Sequence, residues 1–320
     1  MRNLIITTVI ALGFVITGLI LMFMGQSALK PEKQTESGTE NKESKVKPKP
    51  NAELSNKDTE NKGKDAKEYT PPELPIGELI PNEFVDFRKK TEDEQLDIVN
   101  SFSNRRNLDK KNIDYLKLEL TNRNLDVVTR NNIANALVAQ QNPDPELYKL
   151  FISFYEDPNE DIVWRDYAIQ FLSETLTFAA DQQVVKDKLN EVALNDKTSI
   201  SATAMLHIKL HFLSGRMNID PKIMSSITDI SEDKDMPLTN RITTTALIGS
   251  LKKKEDLPLL RKLIGESSIE ASILRTSIAS IGLMGDESDI ELLNPFLKHK
   301  NGAVVKATTA ALNRLKDKAP

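Results

Sequence analysis

The 320-residue chain carries 47 acidic and 43 basic side chains, a formal charge of -4, with no cysteine, 12 glycines and one tryptophan. The missing cysteine excludes disulfide frameworks, thiolate metal sites, thiol nucleophiles and a lipoprotein-type lipid anchor. The mildly acidic balance argues against a protein that coats nucleic acid. Scarce glycine argues against a nucleotide-binding enzyme built on phosphate turns.

Three zones follow one another. Residues 1–26 contain the run Leu4 to Met24, which has no charged side chain. A helix of that length spans about 30 Å, the hydrocarbon thickness of a bilayer. The run exceeds the usual signal-peptide core of roughly 7–15 residues, so the reading is an uncleaved single-pass anchor. A cleaved signal is the alternative, with a weak small-residue site at Gly25-Gln26-Ser27. Arg2 precedes the run; Lys30 and Lys33 follow it, mixed with Glu32 and Glu36. Counting Lys and Arg slightly favours the C-terminal flank inside. The very short N-terminal tail favours export, and the rest of the chain is placed on the extracytoplasmic side.

Residues 27–80 are built from Lys, Glu, Asn, Ser, Thr and Pro, with positive and negative charges nearly balanced. Their apolar content cannot offset the entropy of ordering the chain. The segment reads as a disordered spacer with a typical end-to-end span of about 40 Å. The stretch Ser44 to Pro50 holds three lysines, fewer than the clusters of four to eight cations that hold anionic lipid.

Residues 81–320 repeat. Thr91-Glu92-Asp93-Glu94 opens a lone helix at 91–103 with a capping-box pattern. The apolar period then predicts helix pairs at 109–121 with 124–141, 145–156 with 159–178, and 181–195 with 199–215. Three more follow at 220–230 with 237–253, 255–265 with 268–285, and 288–300 with 302–316. Pro143, Pro145, Pro158, Pro221 and Pro237 stand near helix starts, where proline removes no helical hydrogen bond. The second helices share a base after an apolar residue, then small residues, then large aliphatics. The bases are Arg130, Arg165, Arg241, Arg275 and Lys306, and the third pair lacks one. A period of this length in paired helices is the mark of an α-solenoid.

The last three pairs resemble HEAT repeats of the HEAT/PBS-lyase type. Arg275, Ala279, Gly282, Gly285, Asp286, Pro295, Lys306 and Ala310 occupy that pattern, and Pro258 and Pro295 match the proline that bends the first HEAT helix. The resemblance implies an all-α, right-handed superhelix of about six helix pairs. The motif is specific for the fold and not for function, because unrelated activities share this fold; the stacked array is read as a membrane-tethered scaffold for protein–protein interaction, not an enzyme. Some relatives in the lyase group act on bilins or repair DNA, so a lyase-type enzyme or lyase accessory protein is the alternative.

Among candidate sites, the basic ladder reads as structural. Asp126 and Asp161 stand four residues before Arg130 and Arg165, a helical pairing distance. His207 and His211 share a helical face but lack the adjacent Glu of a metalloprotease and a third ligand. No metal, cofactor or small-molecule substrate is expected. Aromatic residues concentrate between Tyr148 and Phe178. Phe151, Phe154 and Phe171 fit a core stripe. Tyr148, Tyr155, Trp164 and Tyr167 carry polar tips and are the expected partner-binding residues.

Overall fold

The computed structural model describes residues 80–318 except residue 104, all within one compact unit, Gly63–Pro320. The proposed anchor and most of the spacer lie outside the described residues. Among the described residues there are thirteen α-helices and no strand, and no helix is long and apolar enough to cross a membrane.

Helix α1 (Glu92–Ser103) is followed by six pairs. They are α2 (Lys110–Leu120) with α3 (Val127–Val138), α4 (Leu147–Glu156) with α5 (Ile162–Thr175), and α6 (Gln182–Asn195) with α7 (Ile200–Leu213). Then come α8 (Pro221–Glu232) with α9 (Leu238–Leu251), α10 (Leu257–Gly265) with α11 (Ala271–Met284), and α12 (Asp289–Leu293) with α13 (Gly302–Lys316). Each first helix packs on its own second helix. The second helices α3, α5, α7, α9, α11 and α13 pack on one another in order, and α1 packs on α3. A pair has apolar residues on more than one side, and only a neighbouring pair can cover the second side.

The chain encodes the helix starts with short acids. Asp109, Asp126, Asp161, Asp181 and Asp220 stand at N-caps, and each side chain accepts from a backbone N–H of the first turn. Such a cap contributes about 1 kcal/mol. At α1 the capping box forms: the Thr91 N–H donates to Glu94 at 2.9 Å, and the Glu94 N–H to the Thr91 hydroxyl. These caps correct one expectation. The carboxylates of Asp126 and Asp161 hold the ends of α3 and α5 and form no ion pair with Arg130 or Arg165.

Proline acts differently in the last two pairs. Pro258 stands in the first turn of α10, after a 3-10 turn at Lys254–Asp256, and bends nothing. Pro295 ends α12, and the chain continues as a 3-10 helix over Asn294–Lys298. Proline cannot donate the amide that a longer α-helix would need.

The two ends of the described array differ from its middle. At the first, 3-10 turns at Asn82–Phe84 and Phe87–Lys89 bury Phe84 and Phe87 to 1% exposure. The Phe84 ring lies 4.9 Å from Phe102 and 4.6 Å from Tyr115. Arg88 donates to the buried Glu119 at 2.8 Å. At the other end, α13 exposes Lys306, Thr309, Asn313 and Arg314.

Between the later second helices, glycine permits close approach. A Cβ on Gly282 would stand 2.6 Å from Ala311 Cα, and one on Gly249 would stand 2.4 Å from Ser280 Oγ. Gly282→Ala is therefore expected to push α11 from α13 and cost about 1–3 kcal/mol, read as a lower urea midpoint. Gly265→Ala, where an added Cβ meets nothing within 4 Å, should leave the midpoint within about 0.5 kcal/mol of the original.

Candidate functional site

The second helices pack mainly on their own first helix and on neighbouring second helices, and a fourth side stays open. On α3 it shows Val128, Asn132 and Asn135; on α5, Val163, Tyr167, Gln170 and Glu174. On α9 it shows Thr239, Thr243, Ala246 and Ser250; on α11, Ser272, Thr276, Ala279 and Leu283. All are half-buried or exposed, at helical spacings that share one face. In α7 the matching residues are Thr203, His207 and Leu210. Amides, hydroxyls and small apolar groups dominate this row.

Its charges are two carboxylates on α5. Burial pushes the Glu174 carboxyl up to about 7, with a hydrogen bond from Gln170 opposing. Burial also raises Asp166, against a hydrogen bond with Thr203. Neither forms an ion pair among the described residues, and Asp166 Oδ1 is buried with no hydrogen-bond partner. The row thus presents neutral hydrogen-bonding groups, with two half-buried carboxylates at α5.

The four aromatic residues expected to bind a partner separate. Trp164 is 0% exposed and Tyr148 5%, so neither can meet a partner directly, and that expectation is corrected for both. Trp164 is buried because Arg130 of the preceding pair covers it, with the guanidinium carbon 4.3 Å from the ring centroid. Phe154 and Phe171 pack around the indole. Tyr148 belongs to the α4 core. Tyr155 is half-buried, and its hydroxyl donates to Asp196 at 3.0 Å across to the following pair. Tyr167 alone of the four lies on the open row. The residues beside it that the sequence reading missed are Asp166, Gln170 and Glu174. Their signal was half-wet polar positions recurring every three to four residues on second helices.

The basic ladder is built by one rule, unevenly kept. Nε of Arg130, Arg165 and Arg241 donates to the carbonyl ten residues earlier, those of Leu120, Tyr155 and Ser231, which closes the turn within each pair. The guanidinium then reaches the next pair where a glutamate stands before its second helix. Arg130 makes two bonds to Glu160 at 2.7 and 3.0 Å, and Arg241 reaches Glu270 at 3.3 Å. Arg165 has no such acid ahead, and its guanidinium lies 5.3 Å from the Tyr155 ring centroid. Before α13 the chain reads Lys300-Asn301. Arg275, half-buried, has no hydrogen bond or ion pair among the described residues, and Lys306 is exposed.

His207 and His211 do not converge with acids: among the described residues no three His, Asp or Glu side chains could hold a metal ion. Both imidazoles approach Ser173 instead, His207 Nδ1 at 3.0 Å and His211 Nε2 at 2.8 Å from its hydroxyl.

No protein-family model and no curated protein matches the chain. Two solved structures are similar to it at a low level. Human deoxyhypusine hydroxylase in complex with glycerol shares 13% identity at a TM-score of 0.34, over 72% of this chain and 82% of that one. An engineered protein shares 14% identity at a TM-score of 0.29, over 73% of this chain and 97% of that one.

The ladder gives a direct test. Arg130→Met would remove two hydrogen bonds from the buried Glu160 carboxylate, leaving it Arg123 at 3.4 Å, and should cost about 1–3 kcal/mol in chemical denaturation. Lys306→Met, which breaks nothing, should stay within about 0.5 kcal/mol.

Proposed function

We propose that this protein is a membrane-tethered, HEAT-like repeat scaffold whose open row binds an extended segment of a partner protein. The observation that carries the reading is the row itself, which runs across successive second helices and presents uncharged hydrogen-bonding groups. Extended chains offer backbone amides and carbonyls at regular spacing, and such groups can match them. The unpaired Asp166 and Glu174 favour a segment with a lysine or arginine opposite α5, since a desolvated carboxylate gains most from an added cation. Tyr167 supplies a half-wet ring beside them. The reading includes no catalytic step.

The apolar run Leu4 to Met24 supports a tether, and the polar spacer supports a domain that searches a volume around its attachment point. The repeat region is assigned to the extracytoplasmic side. The competing reading is an exported protein freed by signal cleavage.

Two measurements test these parts separately. A photo-crosslinking amino acid at Tyr167 should give a discrete adduct in cells, whereas the same group at Glu191 on α6 should not. Glu174→Gln should weaken that adduct severalfold. Equal labelling from both positions would remove the open row as the binding face. For the tether, the protein should stay with membranes through alkaline extraction at an intact mass of 35.9 kDa. A soluble product lacking residues 1–27 would replace the anchor with a signal peptide.

A further inference from the structure

Ser173 of α5 stands between two imidazoles of α7, and the protons of this cluster can be assigned. His211 Nε2 lies 3.1 Å from the Ser173 carbonyl oxygen as well as 2.8 Å from its hydroxyl. A carbonyl only accepts, so His211 carries its proton on Nε2. The Ser173 hydroxyl is left to donate to His207 Nδ1 at 3.0 Å, and His207 then holds its own proton on Nε2. The remaining nitrogen, His211 Nδ1, is buried with no hydrogen-bond partner. Ser173 is 1% and His211 6% exposed. The bond that His207 Nδ1 accepts thus requires that ring neutral, while His211 keeps its Nε2–H bonds in either state. A second proton on His211 would be a buried donor with no acceptor, a costly arrangement.

The charged surroundings do not welcome a cation. Lys186 of α6 and Arg216, just beyond α7, both act against a proton on His211. Lys209 of α7 is itself held low by burial. Within α9 the one charged side chain is Arg241, already bound to Ser231 and Glu270. On α5 the carboxyls are Asp166 and Glu174, both pushed toward the neutral form by burial.

We propose that Ser173, His207 and His211 form an acid-sensitive clasp that holds the second and third helix pairs together at neutral pH and loosens their seam on acidification. The seam lies beneath the open row, so loosening it changes the spacing of groups on α5 and α7. Its direction follows from proton linkage. Burial first, and then the neighbouring His211, push His207 down to about 4 from 6.5. The closed seam therefore binds fewer protons than the opened one. Its stability is full above pH 6.5 and is lost as pH falls from there toward 4. Glu174 works in the opposite sense, since its raised value makes the closed state bind a proton first as pH drops below 7.

Hydrogen exchange on the full chain, corrected for intrinsic rates, tests the clasp. In Glu174→Gln, between pH 7.5 and pH 5, protection over 167–176 and 204–214 should fall roughly tenfold to thirtyfold; in the wild type the fall is smaller because Glu174 opposes it. The α9–α11 seam, which holds no histidine, should change much less. Adding His207→Gln and His211→Gln to Glu174→Gln should remove the fall. In Glu174→Gln a uniform response along the array, or none, would overturn the clasp. So would a fall that survives the histidine substitutions. Should the triple variant fail to fold, the comparison of the two seams in Glu174→Gln decides.

Discussion

The architecture depends on a helix pair being unable to cover its own apolar surface. Each pair closes one seam internally and leaves a second for the next pair. Stability is therefore a property of neighbours, and one missing seam exposes core on both sides. This is why the ends differ from the middle. Phe84 and Phe87 fold back as a plug before the first full pair, and α13 turns polar and small residues outward.

Several kinds of linkage hold successive pairs. In some seams a buried arginine joins a carbonyl behind it to a glutamate ahead. In others the chain uses side-chain hydrogen bonds, as where Asn240 donates to the Thr198 carbonyl and to Ser201. In the later seams it uses glycine at the point of closest approach. A buried charge pair tolerates little displacement, because removing either partner strands the other. A glycine contact depends on shape alone. Rigidity is therefore unequal along the array, and the histidine-bearing seam between α5 and α7 stands out for depending on protonation.

The helices were legible in the sequence because their signals are local. Apolar period, a capping box at the first helix and prolines near helix starts placed the described helices within a few residues. The shared base in the second helices was legible as a ladder. Its partners were not: Glu160 and Glu270 lie 30 and 29 residues away from the arginines they meet. The nearby Asp126 and Asp161 were the closer acids, yet backbone N–H groups claim them. Phe84 and Phe87 gave no helical period, so their part in closing the array emerged only with packing. For the candidate site, Tyr167 was found by residue type, whereas Gln170 and Glu174 needed knowledge of which helix side stays open. Tyr148 and Trp164 were misjudged because a polar tip suggests contact with water. In Trp164 a guanidinium covers the ring instead.

That covering has a practical consequence. The chain has one tryptophan, wholly enclosed under Arg130 at the joint between the first and second pairs. Its ultraviolet emission is a built-in gauge of that joint and of the α4–α5 pair beneath it. Parting of the joint would red-shift the light, while events at the distal pairs would leave its wavelength unchanged. Emission and far-ultraviolet dichroism recorded together would thus tell whether the array comes apart from its first joint or from the other end.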